Sequence, residues 1–136
     1  MWDTRKELMR CAVCLLVTLF LLMLIGCGTP RTPSQTVSRF YTLLGQGKFE
    51  AASRYLSAEA KLLFGFAMGM AEMLKEYAQE TWAGVSITRV EILEERVQGN
   101  QAQVTYRLHF SDGTRGEVDR ETLVREDSQW KIDLEF

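Results

Sequence analysis

From Ala102 to Phe110 apolar and polar side chains alternate: Ala102, Val104, Tyr106, Leu108 and Phe110 on one parity, Gln103, Thr105, Arg107 and His109 on the other. A period of two describes a strand buried on one face. Trp130, Ile132, Leu134 and Phe136 repeat it against Lys131, Asp133 and Glu135. Val85 to Val97 also reads as strand, but its apolar set slips from Val85 and Ile87 to Val90 and Ile92, as a bulge would require. Arg115 to Arg125 is a more polar strand with Val118, Leu123 and Val124. Gly99-Asn100, Asp112-Gly113 and Glu126-Asp127-Ser128 separate these runs as hairpin turns.

Upstream the period changes to that of a helix. Val37, Phe40, Tyr41 and Leu44 recur at three and four, with Ser34 or Thr36 as cap and Gly45 and Gly47 as the stop. A second helix is predicted over Phe49 to Leu56, and a third opens at Ser57 and runs to about Glu80. Around the third, Lys61, Glu72, Lys75, Glu76 and Gln79 share one arc, while apolar residues cover half the circumference or more. So wide a face predicts packing on two sides. Gly65 and Gly69 at GxxxG spacing fit close packing of a soluble helix, because charges flank them. Three helices followed by a four-stranded antiparallel meander define an α+β fold, with the helices packed on the concave face of a curved sheet.

The chain begins differently. Arg5, Lys6 and Arg10 precede Cys11 to Ile25, 15 residues without a charge. At about 1.5 Å per residue this helix reaches about 22 Å, short of the roughly 30 Å hydrocarbon core, so a processed export signal is expected. Leu24-Ile25-Gly26-Cys27 resembles the bacterial lipobox, which implies diacylglycerol on the Cys27 thiol and cleavage before it. The alternative is an uncleaved anchor running past Cys27. Residues 1–26 are thus expected as a lipoprotein signal peptide, 27–36 as lipidated cysteine and flexible tether, and 37–136 as the domain. Acyl chains contribute about 0.8 kcal/mol per buried methylene, so two or more hold a domain on a bilayer. By the same resemblance Gly28 favours the outer membrane where the host has two membranes, and otherwise the outer face of the cell membrane.

The order of helix, "GKFEAASRYLS", long helix, bulged strands and "VREDSQWKIDLEF" resembles the cone-shaped nuclear transport factor 2-like superfold, in particular small uncharacterised bacterial lipoproteins of that fold. The resemblance spans about residues 34 to 136. That superfold hosts isomerases, dehydratases and non-catalytic modules, so fold alone assigns no activity.

A net charge of −2 over 136 residues, with no basic stripe, argues against nucleic acid as partner. Loss of residues 1–26 would leave −3. Cys11 and Cys14 form a CxxC, but within an apolar signal it lacks the second pair and polar shell of a metal site. His109 is the only histidine and falls on the outward parity, so neither a histidine-rich metal site nor a Cys-His nucleophile can be assembled, and no cofactor is expected. Asp133, near where some enzymes of this superfold keep a general base, alternates outward; Glu72 pairs with Lys75 on the charged arc; Glu117 to Glu121 reads as a solubilising edge. No catalytic residue is assigned and the protein is read as a non-enzyme.

Phe66, Met70, Met73, Tyr77, Trp82, Tyr106 and Phe110 are the candidate pocket, with Tyr106 as its polar handle; the same residues would make a filled core. The leading expectation is a lipid-anchored envelope protein whose domain meets another envelope protein or a second copy through the outer sheet face. The runner-up is a carrier or sensor of a small apolar ligand, and an isomerase or dehydratase is third.

Overall fold

The computed structural model describes Cys14 and residues 32–65 and 69–133. The rest of the expected signal peptide, Cys27, Phe66 and the strand end at 134–136 lie outside the described residues. Within residues 32–133 four helices precede four strands: α1 Pro33–Gly45, α2 Phe49–Ser53, α3 Ala58–Gly65, α4 Met70–Trp82, β1 Ile87–Gln98, β2 Gln101–Phe110, β3 Arg115–Glu126 and β4 Gln129–Asp133. The strands form one antiparallel sheet in sequence order.

α1 starts earlier than the expected cap. Thr32 is the N-cap in a reciprocal box with Gln35, and Pro33 occupies the first turn, where its missing N–H costs nothing. Thr36 is fully buried instead of capping, and Ser34 donates its backbone N–H, at 2.8 Å, and its hydroxyl to the Glu95 carboxylate of β1. Residues 33–36, expected in the tether, are thus helical. Val37, Phe40, Tyr41 and Leu44 are all buried, as their spacing predicts. At the other end, a Cβ on Gly45 would lie 2.6 Å from the Ile87 carbonyl oxygen, so only glycine lets α1 approach β1 this closely.

The second and third predicted helices both need correction. α2 stops at Ser53, because Leu56 leaves the helix to bridge Ile132 in parallel. Ile132 N–H donates to the Tyr55 carbonyl at 2.7 Å and Ser57 N–H to the Ile132 carbonyl at 2.8 Å, which covers the β4 edge. Ser57 does open a helix, accepting from the Ala60 N–H at 3.0 Å while its hydroxyl donates to Asp133 at 2.7 Å. The single helix to Glu80 is instead two, with Gly69 as the N-cap of α4. The expected packing on both sides of one wide apolar face is not what the two helices show: α4 buries Leu74, whereas Leu62 and Leu63 of α3 are exposed.

Register shifts lie between Ile87 and Arg89 and between Ile92 and Glu94 of β1, so the expected slip before Val90 is a bulge. A third lies where β2 passes from Arg107 to His109 against β3. At the last turn Asp127 and Ser128 have φ of 47° and 63°, the left-handed pair of a two-residue type I′ hairpin. The core of fully buried Val37, Leu56, Val104, Leu123 and Ile132 joins α1 and the 55–57 segment to the concave sheet face.

Candidate functional site

Alternation on β2 and β3 decides what faces the helices. Val104 pairs with Glu121 and Tyr106 with Asp119, and because Val104, Tyr106 and Leu123 point inward, Glu121 shares their face. That corrects its reading as part of a solubilising edge. The charges from Glu117 to Glu121 suggest one solvated block, but Leu123 two residues on sets the parity.

The C-terminal end of α4 faces this end of the sheet across a cleft of about 290 Å³. Its walls are Tyr77, Thr81 and Trp82 of α4, Tyr41 of α1, Tyr106, Leu108 and Phe110 of β2, and Gly116 to Asp119 of β3. The Trp82 ring stands edge-to-face against Tyr41 (centroids 6.5 Å, 69°) and against Tyr77 (5.6 Å, 78°). Trp82 sits where α4 ends, just before Ala83 closes the helix in a left-handed conformation.

On the floor, the Tyr41 and Tyr106 hydroxyl oxygens are 2.6 Å apart. Both contact Glu121 Oε1, Tyr106 at 3.2 Å and Tyr41 in a short hydrogen bond. Three oxygens in mutual contact share only two phenolic protons while the carboxyl is ionised. Tyr41 then donates to Glu121, and Tyr106 donates to Tyr41 or Glu121. Both protons stay within the triad, so the floor offers a bound molecule acceptor lone pairs and no free donor. Burial is the main cause that raises the Glu121 pKa, with Asp119 adding to it and the two phenols partly opposing. Burial also drives the Tyr41 and Tyr106 phenols well above their usual values, with the negative charge of Glu121 next in order.

Of the predicted pocket residues, Tyr77, Trp82, Tyr106 and Phe110 line the cleft. Met70 and Met73 pack against the core outside its walls, and Phe66 lies outside the described residues. Tyr41 and Glu121 were missed. The helical spacing of Tyr41 marks an apolar face and says nothing of its hydroxyl.

The other candidates are placed elsewhere. His109 is on the outer sheet face, its Nε2 2.8 Å from Glu91 Oε2 and 2.9 Å from Arg89. Asp133 accepts from Ser57 at the β4 edge, far along the sheet from the Tyr106 floor, and Glu72 pairs with Lys75 at 3.1 Å. No group of three or more His, Cys, Asp or Glu side chains is arranged for a metal ion among the described residues.

The DUF4878 profile, a domain of unknown function, matches residues 25–133. The chain belongs to the DUF4878 family. Its fold is that of the nuclear transport factor 2-like group: a structure named as an NTF2-like transpeptidase from Campylobacter jejuni superposes with a TM-score of 0.57 at 16% identity, over 76% of this chain and 98% of that one. A SEC-C motif containing protein from Rhodopseudomonas palustris matches with a TM-score of 0.61 at 13% identity, over 76% of this chain and 77% of that one. A second SEC-C motif containing protein, from Psychrobacter arcticus, gives 0.58 at 14% identity over 80% and 63%. At these identities the likeness concerns the fold alone. No curated protein matches this DUF4878 chain in sequence.

Proposed function

We propose that this DUF4878 protein is a lipid-anchored envelope lipoprotein whose domain holds a small molecule in the cleft and carries out no chemistry on it. One observation carries the ligand reading: an aromatic-walled cleft of about 290 Å³, at the lower end of the size of small-molecule sites, with polar atoms converging at its floor. The anchoring part rests on the lipobox-like Leu24 to Cys27 after an apolar run.

The geometry favours the ligand over a partner on the outer sheet face, which sequence reasoning had put first. That face carries Arg89, Glu91, Gln103, Arg107 and His109 rather than a continuous apolar patch, and its acids are already paired.

The test is native mass spectrometry of the full protein extracted from membranes, beside a Gly116→Leu variant. A Cβ at Gly116 would lie 3.5 Å from the Phe110 ring and 3.6 Å from the Leu108 carbonyl, ordinary contacts, so the backbone accepts a side chain there and the leucine is placed to occupy the cleft that Gly116 lines. The expected result is a chain beginning at an acylated Cys27 with an added small mass that the variant lacks. An uncut chain overturns the anchor, and a bare wild-type dimer would restore the partner reading.

A second reading is favoured by Glu121. A carboxyl raised by burial beside two tyrosines is what an isomerase or dehydratase would use for proton transfer. Its Oε1 is, however, already taken by both phenols. If the retained compound leaves wild type as an isomer or dehydration product, and leaves Glu121→Gln unchanged, the catalytic reading replaces the first.

A further inference from the structure

We propose that the ligand of this cleft is an organic cation, an ammonium group on a small apolar body. The proposal rests on the cleft being a ligand site and narrows the occupant to one chemical class.

Three independent features select a positive charge. The first is the set of rings. Trp82 is nearly perpendicular to both Tyr41 and Tyr77, so the cleft is a corner of aromatic surfaces, and ring faces carry the negative end of the aromatic quadrupole that attracts cations. The second is uncompensated charge. Glu117 and Asp119 line the cleft, Glu121 lies behind its floor, and none of the 11 lining residues is basic. Coulombic effects on Tyr77 and Tyr106 come from Glu121 and Asp119, with no cation among them. The third is the floor, whose phenolic protons are committed to the Glu121 triad, leaving lone pairs to receive an N–H donor or face an alkylated ammonium.

The outer face of the same sheet supplies the contrast. There Glu91 has His109 and Arg89 beside it, and Glu94 has Arg96 at 2.8 Å. In the cleft, by contrast, Glu117 and Asp119 stand beside the rings of Tyr41, Tyr77 and Trp82 with no basic residue in the lining. An anionic ligand would meet Glu117, Asp119 and Glu121 with no basic side chain in the lining to offset them, and a neutral one would gain nothing from them.

Three probes of nearly one shape decide it: choline, the uncharged 3,3-dimethylbutanol in which carbon replaces the nitrogen, and the anionic 3,3-dimethylbutyrate. Binding to the full protein in non-ionic detergent is followed by NMR shifts of the Trp82 indole N–H. The expected result is choline tighter than the alcohol by about tenfold or more, with no shift from butyrate. Asp119→Asn, an exposed change that leaves the core untouched, is expected to shrink that preference. Alcohol or butyrate binding as well as choline would overturn the cation assignment and leave the ligand cleft standing. Silence from all three would also overturn it, and the cleft itself would then be judged by the mass of a retained molecule and its loss in Gly116→Leu.

Discussion

Glu91 and Glu121 stand on the two faces of one sheet, and the contrast between them shows how the sheet distributes its charge. On the outer face Glu91 hydrogen-bonds His109, which holds its carboxyl below the usual range, with smaller help from the charges of His109 and Arg89. On the concave face Glu121 has two phenols and no cation, and burial pushes its carboxyl up. A residue type that water and counter-charges solvate on one side is solvated on the other by neutral hydroxyl dipoles. Outside, charge is cancelled; inside, it is kept and confined beside a cleft.

The largest expected effect separates the faces by packing. Tyr106→Ala removes a buried ring from the floor and should cost about 3–5 kcal/mol, whereas Arg107→Ala, its outward neighbour, should stay within about 0.5 kcal/mol, both measured by urea denaturation. Equal costs would break the comparison. Next, Tyr41→Phe keeps the ring and removes one donor to Glu121, so a loss of about 1–3 kcal/mol is expected, together with a further rise of the Glu121 pKa.

Opposite pH signs are the third consequence. The raised Glu121 carboxyl makes the folded state bind the proton more tightly than the unfolded chain, so its contribution to stability falls as pH rises from the ordinary glutamate value through the raised one. Glu91 behaves in reverse: its contribution is present above the ordinary value and disappears as pH falls through the lowered one. Glu121→Gln should remove the first slope and Glu91→Gln the second, read from denaturation midpoints across the acid range. The smallest effect concerns the exposed Glu94–Arg96 pair at 2.8 Å, for which a double-mutant cycle should give about 0.2–1 kcal/mol, screened by salt. The same cycle on Tyr41 and Glu121 should respond little to salt, since a buried contact is shielded from mobile ions.

Much of this architecture was legible in the chain because periodicity reports which face is covered. The alternation of Ala102 to Phe110, the slip before Val90 and the helical spacing of Val37 to Leu44 each map onto an observed strand, bulge or buried helix face. What escaped detection depended on contacts distant in sequence. Leu56 left its predicted helix because Ile132, 76 positions later, offered a strand edge. The long helix is two, the second capped at Gly69: the wide apolar arc predicts packing on two sides, but a continuous apolar pattern does not mark where one helix ends and the next begins. Glu121 was hidden by composition: charged neighbours suggested an edge, while the parity set by Leu123 turned it inward to two tyrosines 80 and 15 positions away. Four cleft residues were found because aromatic side chains on inward positions mark a cavity or a core alike; the polar floor that distinguishes the two was not visible until the strands were paired.

The claim on which the rest depends is that Glu121 points inward to the two phenols. Its most direct test is a ¹³C NMR titration of the glutamate side-chain carboxyls, assigned through Glu121→Gln and Glu91→Gln. The Glu121 midpoint is expected above the ordinary glutamate range and that of Glu91 below it. A Glu121 midpoint at or under that of Glu91 would contradict the account.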